Sequence, residues 1–123
     1  MWDLEFSAEA ECDFELIFDH LASSYVELGD EPDTAFIRAA SRVRAIRTSI
    51  NVLAQSPHVG TLRSDIRAGL RFVRVEKTVI WFLPDEERRC VVVVALFFGA
   101  QDHIRHMLAR MLSGKTEKPH PMR

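Results

Sequence analysis

Apolar residues in the first half of the chain recur every three or four positions, which is the spacing of one face of a helix. One such stripe lies between Ser7 and Gly29, at Phe14, Ile17, Phe18, Leu21, Tyr25 and Leu28. Ser7 is a suitable N-cap, and Gly29 marks the end of the predicted helix. A second helix is predicted from residue 34 to about Gln55, with its stripe at Phe36, Ala40, Val43, Ile46, Ile50 and Leu53. The pattern therefore predicts a long antiparallel helical hairpin.

The rest of the chain has the pattern of strands and one short helix. Trp2–Phe6 alternates apolar and acidic residues, and Leu70–Val75, Val79–Leu83 and Cys90–Phe98 are rich in Val, Ile and Phe. The polar segments 76–77 and 84–87 predict the turns of an antiparallel meander. After Gly99, apolar residues at helical spacing predict a final helix that is closed by Gly114.

The order of these elements predicts an α+β fold. It comprises an N-terminal strand, a long antiparallel helical hairpin packed on a small antiparallel sheet, and a short C-terminal helix. We expect residues 1–114 to form a single domain and residues 115–123, which contain two prolines, to be a flexible tail. In the final helix Ile104, Leu108, Met111 and Leu112 are expected to cover the sheet.

Composition narrows the class of protein. With 123 residues and 47% hydrophobic content, the chain can bury one modest core. Its longest apolar run, Val91–Phe98, is too short to cross a bilayer, and its N-terminus lacks the pattern of a secretory signal. We expect a cytoplasmic protein without cofactor or metal, in which Cys12 and Cys90 are reduced core residues.

The net charge of −2 conceals a strong segregation of charge. Residues 1–33 carry 11 of the 18 acidic residues and none of the 16 basic ones, which leaves a net charge of +9 for the rest. Apart from three lysines, all basic residues are arginines, whose planar fork suits carboxylates and phosphates. This predicts a polyanionic partner, either an acidic protein segment or nucleic acid. The simpler alternative is an acidic helix beside a basic face.

Three segments resemble the RelE/ParE superfamily of bacterial toxins. In residues 56–71, a Pro and a Gly end the second helix, an Arg follows, and Gly69–Arg71 opens the next strand, as in the ParE-type loop. Val79–Phe82 resembles the apolar-aromatic third strand of the family, and Phe98–Asp102 resembles its small-residue turn into the final helix. The length of the hairpin is similar to that of ParE relatives rather than RelE relatives.

The resemblance implies the toxin of a type II toxin–antitoxin module, a class associated with plasmid stabilisation. A cognate antitoxin would wrap the toxin with a helix followed by a strand added to the sheet. ParE-like toxins act on DNA gyrase and have no agreed catalytic set. RelE relatives cut messenger RNA in the ribosomal A site. They use basic residues on the second and third strands, an Arg near the C-terminus and often a Tyr or His there.

This sequence departs from the RelE pattern. Val79 stands at the third-strand position, Ala100 or Gln101 follows the glycine turn, and the only tyrosine is Tyr25 in the first helix. We therefore expect gyrase inhibition by a protein that is not an enzyme, with no membrane association and no direct binding of nucleic acid. The alternatives are a ribosome-dependent endoribonuclease of RelE type and a non-toxic relative that only binds its partner.

Basic and aromatic residues of the second half are the candidates for a functional surface. For partner binding we expect Arg63, Arg67, Arg71, Arg74, Trp81, His103, His106 and Arg110. If the chain is a nuclease instead, the groups that would supply the chemistry are Arg71, Arg74, His103 and His106. The simpler alternatives are solvated charges and, for Trp81, a place in the core.

Three of these expectations concern geometry. Arg71 and Arg74, three apart on a strand, should point to opposite faces of the sheet. The histidines and the arginine of the final helix should face outward, so that replacing all three with Ala would leave the melting temperature nearly unchanged. The arginines of the second helix should pair with the acidic first helix; they are Arg38, Arg42, Arg44 and Arg47.

Overall fold

The computed structural model describes residues 1–99 and 101–113; Ala100, Gly114 and the predicted tail lie outside the described residues. The elements are β1 (Asp3–Phe6), α1 (Ala8–Glu27), α2 (Pro32–Ser49), α3 (Val52–Gln55), β2 (Thr61–Leu62), β3 (Arg71–Val75), β4 (Thr78–Asp85), β5 (Cys90–Phe98) and α4 (His103–Ser113). The strands form one sheet in the order β1-β5-β4-β3-β2. Neighbouring strands are antiparallel except for β1, which runs parallel to β5. The predicted α+β fold is confirmed, but the sheet is mixed and not purely antiparallel.

The helical hairpin begins as predicted. The Ser7 hydroxyl accepts a hydrogen bond from the Ala10 N–H at 3.1 Å, and α1 ends two residues before Gly29. In α2 the buried stripe is Ala35, Ala39 and Ile46, whereas the predicted Phe36 is half exposed and packs on Phe18 at the outer side of the hairpin. None of the helices in the described ranges is long and apolar enough to span a bilayer.

The predicted second helix is divided in two. The Asn51 N–H donates to the Thr48 carbonyl, three residues back, and this tight turn separates α2 from α3. Ile50 and Leu53 on either side of the turn are both fully buried. Both residues belong to the predicted apolar stripe, so the turn divides the helix without moving this stripe away from the core.

Helices cover both faces of the sheet. One apolar cluster lies between the sheet and the helical hairpin and contains Phe82, while a second contains Trp81 and Met107 of α4. Trp81 and Phe82 are both fully buried, because successive side chains of β4 point to opposite, covered faces. The apolar run of β4 is therefore continuous and does not alternate with polar residues.

The two turns of the meander differ from each other. Glu76 and Lys77 have φ values of 52° and 62°, as in a two-residue hairpin turn of type I′, and this turn is where it was predicted. The second predicted turn, at 84–87, is wrong, because Pro84 and Asp85 belong to β4. Proline lacks an N–H, but β3 begins at Arg71, opposite Phe82, and its pairing with β4 does not extend to Pro84, so β3 does not lie beside Pro84.

The two cysteines occupy different environments. Cys90 is buried, as expected, and burial raises the pKa of its thiol, with a further contribution from the Glu5 carboxylate. The thiol therefore stays protonated at neutral pH. Cys12 is exposed on α1, so the expectation that both cysteines are core residues is wrong for this one.

Candidate partner-binding surface around α4

Helix α4 packs on the face of the sheet opposite the helical hairpin. Met107 is its fully buried residue among those described, and Ile104 and Met111 pack beside it. Leu108 and Leu112 are 42% and 90% exposed, so the expectation that they cover the sheet is wrong. The helix has apolar residues on two sides. One side packs on the sheet, and the other, with Leu108 and Leu112, is an apolar stripe that faces solvent.

His103 at the start of α4 lies in an aromatic corner. Its ring centroid is 4.7 Å from that of Phe72 and 5.5 Å from that of Trp81. Its Nδ1 atom is buried without a hydrogen-bond partner among the residues described. Burial lowers the pKa of His103, the positive charges of Arg74 and Arg63 lower it further, and Asp102 opposes them. A neutral imidazole therefore stands close to two guanidinium groups.

Acidification should destabilise the protein through His103. The unfolded chain, in which His103 has its ordinary pKa of about 6.5, binds a proton at a higher pH than the folded chain does. The stability due to the neutral ring is therefore present above that pH and is lost as the pH falls toward the lower folded pKa. Urea unfolding on both sides of about pH 6.5 should show this loss, and His103→Phe, which cannot bind a proton, should reduce it.

The control for this measurement is Leu112→Ala, at an exposed position of the same helix. This variant should keep the pH dependence of the wild type. A full wild-type pH dependence in His103→Phe would contradict the assignment of the effect to His103.

His106 and Arg110 line a cleft of about 710 Å³ between α1, the end of β5 and α4. The His106 ring stacks on Phe97 with the centroids 5.7 Å apart, and the Arg110 guanidinium lies over the same ring at 4.7 Å. Arg110 also donates two hydrogen bonds, of 2.8 and 2.7 Å, to the buried carboxylate of Asp13. The expectation that His103 and Arg110 face outward is wrong, since both contact the body of the protein; His106 is exposed.

The strand arginines point to opposite faces, as predicted. Arg74 lies on the sheet face that α4 covers, where its charge lowers the pKa of His103. Arg71 lies on the face that the hairpin covers and donates a hydrogen bond of 2.7 Å to the carbonyl of His58. The His58 imidazole is in turn hydrogen-bonded to Glu86 and packs edge-on against Trp2. Arg71 therefore belongs to a different surface from the other candidates.

The eight candidate residues do not form one site. Arg63, Arg74, Trp81 and His103 lie together, and His106 and Arg110 line the adjoining cleft. Arg67 lines a separate cavity of about 520 Å³ together with Glu5, Asp85 and Arg88. Trp81 is fully buried, so it presents no surface to a partner while α4 is in this position.

Asp13 is a buried charged residue, lining the cleft between α1, β5 and α4, that the sequence interpretation missed. Its side chain is 4% exposed, and its partners Arg110 and Leu96 are distant in sequence. The sequence does contain a signal for it, because Asp13 falls on the apolar stripe of α1 between Ala10 and Ile17. An acidic residue on a buried stripe requires a partner.

Many arginines are neutralised within the chain. Arg47 forms a bidentate pair with Glu11 of α1, which confirms the expected pairing between the helices for this residue, and Arg38 pairs with Asp30 in the turn. Arg88 pairs with Glu5 and Asp85, and Arg63 with Asp65. The described arginines that show no ion pair are Arg42, Arg44, Arg67, Arg71, Arg74, Arg89 and Arg105. Arg74 and Arg105, both exposed, give the α4 side of the protein a positive charge.

Two solved structures have a similar fold. A chain of the chromosomal ParDE TA system from P. aeruginosa superposes with a TM-score of 0.60 and 21% sequence identity, over 80% of this chain and 97% of that chain. The isolated RelE toxin of E. coli superposes with a TM-score of 0.52 and 9% identity, over 91% of this chain and 99% of that chain. No protein-family model matches the sequence, and no curated protein is significantly similar to it. The chain therefore has the RelE/ParE fold.

Proposed function

We propose that this chain is the toxin of a type II toxin–antitoxin module and that it inhibits DNA gyrase. The observation that carries the proposal is the similarity of its fold to a ParDE chain over 97% of that chain's length. The long hairpin, with 20 residues in α1 and 18 in α2, supports the ParE-like branch. Fold alone does not specify activity, so the residues around α4 must decide between the candidates.

The described residues around α4 give little support to RNA cleavage. Val79, at the strand position where the RelE resemblance implies a cation, is buried at 1% exposure. Tyr25 lies on α1 beneath the Arg38 guanidinium, so it cannot serve as the expected C-terminal tyrosine. The charges of Arg74 and Arg63 act on the His103 imidazole, but its Nδ1 is buried. A general base must reach the proton that it removes.

One observation nevertheless favours a ribonuclease as the second candidate. Burial and the positive charge of Arg74 lower the pKa of His103, so its ring is neutral at physiological pH, while Arg63 is paired with Asp65. RNA cleavage requires a neutral base and a cation that holds the scissile phosphate, and His103 and Arg74 are the groups here that could supply them. This arrangement makes the test of target class necessary.

We propose that a cognate antitoxin binds on the α4 side. Arg74 and Arg105 supply exposed positive charge there, and Leu108 and Leu112 supply exposed apolar surface. An acidic amphipathic segment matches both properties, because its carboxylates would meet the guanidinium groups and its apolar face would cover the leucines.

The target class can be tested with the purified chain and with the small protein encoded by the reading frame next to its gene. Expression of the chain alone should stop DNA replication, and co-expression of the neighbouring small protein should restore growth through a complex that survives moderate salt. Purified chain should inhibit supercoiling by gyrase or increase its cleaved complexes. Primer extension on translated messages should show no cuts positioned by codon.

The outcomes separate the candidates. Codon-positioned cuts with unaffected gyrase would replace the gyrase proposal with the ribonuclease. In that case His103→Phe, which removes the base but keeps the aromatic packing, should abolish cutting. A neighbouring protein that elutes separately from the chain at low salt would remove the main support for a toxin–antitoxin module.

A further inference from the structure

The carboxylate of Asp13 joins three separate elements. It projects from α1, and its Oδ2 accepts the backbone N–H of Leu96 in β5 at 2.9 Å. The same oxygen and Oδ1 accept two hydrogen bonds from Arg110 of α4, at 2.8 and 2.7 Å. All three bonds involve an ionised acceptor and are therefore stronger than ordinary hydrogen bonds. One side chain thus connects the hairpin layer, the edge of the sheet and α4.

The edge of β5 explains why this carboxylate can lie there. β1 pairs with β5 only along Cys90–Val93, so the following part of β5 has no neighbouring strand on that side. Side chains around the start of α1 take the place of the missing strand. Ser7 donates its hydroxyl to the Val94 carbonyl at 3.2 Å, and Asp13 accepts from the next N–H on this edge, that of Leu96.

Arg110 and His103 occupy the same side of α4. They are seven residues apart, which is about two helical turns. The apolar anchor of α4 is Met107, which is fully buried, with Ile104 and Met111 partly buried beside it, whereas Leu108 and Leu112 face solvent. A rotation of α4 that released Arg110 from Asp13 would therefore also move His103 out of the corner formed by Phe72 and Trp81.

We propose that Asp13 is a positioning residue for His103. By holding Arg110, Asp13 fixes the rotation of α4 and keeps the His103 ring beside Phe72, Trp81 and the two arginines. Any consequence for toxicity or neutralisation rests on the proposed function, but the positioning itself does not. Asp13 touches neither His103 nor the arginines near it, so its effect on that site passes through α4.

The test uses the His103 ring as its own reporter. NMR titration of the imidazole signals is compared between wild type, Asp13→Asn and Glu11→Gln. Glu11 is the matched control, because it lies on the same helix and forms a bidentate pair with Arg47, at 2.9 and 2.8 Å, that does not involve α4. In Asp13→Asn the titration midpoint of His103 should rise toward that of an exposed histidine. In Glu11→Gln it should stay at the wild-type value.

A second variant and a second probe address the same geometry. Arg110→Gln leaves the bond between Asp13 and Leu96 in place but removes the hold on α4, and it should raise the His103 midpoint as Asp13→Asn does. In a Trp2→Phe background, which leaves Trp81 as the only tryptophan, acrylamide should quench the fluorescence of both variants more than that of the parent. A folded Asp13→Asn protein with an unchanged His103 midpoint would overturn the proposal. So would a shift of equal size in Glu11→Gln.

A measurement on the unaltered chain covers the case in which both variants unfold. In subdenaturing urea, the amides of α4 and the indole N–H of Trp81 should exchange together, in one opening that precedes global unfolding. Exchange of α4 amides only through global unfolding, or one by one with Trp81 still protected, would overturn the proposal. None of these measurements uses gyrase, RNA or an antitoxin. Failure of the proposed function would therefore leave the positioning role standing, and the reverse also holds.

Discussion

Trp81→Ala should lower the free energy of unfolding by about 3–5 kcal/mol, the usual cost of removing a large buried aromatic side chain. Trp81 is fully buried, with its ring centroid 4.8 Å from that of Phe72 and 5.5 Å from that of His103. Its removal would leave a cavity between the sheet and α4. Because small domains are stable by only about 5–15 kcal/mol, this loss is a large fraction of the total. Urea unfolding followed by circular dichroism measures it.

Trp81→Phe separates volume from polarity at the same position. The indole N–H is buried without a hydrogen-bond partner among the described residues, and an unsatisfied buried donor costs about 1–3 kcal/mol. Phenylalanine loses some volume but removes that donor, so its stability should lie much closer to the wild type than that of Trp81→Ala. Leu112→Ala should be nearly neutral because Leu112 is 90% exposed. Equal losses in Trp81→Ala and Leu112→Ala would show that α4 does not cover the sheet as described.

Gly60→Ala, in the loop that precedes β2, should lower the free energy of unfolding by more than the same substitution at another glycine with a positive φ. Gly60 has a φ of +86°, and a Cβ atom at this position would meet the backbone oxygen of Phe72 at 2.3 Å. The variant therefore combines left-handed backbone strain, about 1–2 kcal/mol for a non-glycine residue, with a clash against a strand. We expect β2 to separate from β3 and the total loss to exceed the strain alone. Hydrogen exchange of the β3 amides and urea unfolding would detect the two effects.

Gly69→Ala provides the matched control. Gly69 has nearly the same φ, +80°, but a Cβ atom there would meet nothing within 4 Å. It should therefore lose only the strain of about 1–2 kcal/mol and should keep the pairing between β2 and β3. If both variants lose the same stability, the close approach of Gly60 to Phe72 contributes nothing, and strain alone accounts for the effect.

The sequence predicted the order and type of the main elements because their patterns are local. Cys90–Phe98 was predicted with the bounds that the structure has, since a run of β-branched and aromatic residues between a turn and a glycine has few alternatives. The missed features depend on distant partners. Pro84 can continue β4 because the pairing of β4 with β3 stops at Phe82. The break between α2 and α3 is a backbone turn at Asn51, and the spacing of the apolar side chains does not mark it.

The candidate site was harder to predict than the fold. In α4, apolar residues occur at helical spacing on two sides, so periodicity alone could not decide whether Leu108 or Met107 faces the sheet. The deciding contact is that of Arg110 with Asp13, 97 positions away. Without that contact, Arg110 and His103 looked like parts of a solvated face. The available signal was Asp13, an acidic residue on the apolar stripe of α1, but the sequence did not indicate which residue would pair with it.

The parallel pairing of β1 with β5 has a consequence for the order in which the chain can fold. Residues Asp3–Phe6 are synthesised long before Cys90–Val93, the residues with which they pair. The hairpin of α1 and α2 makes its contacts between neighbouring helices, so it can form early. Pairings of high sequence separation form slowly because a long loop must close first. We therefore expect the nascent chain to carry an exposed apolar hairpin face and an unpaired first strand until β5 emerges.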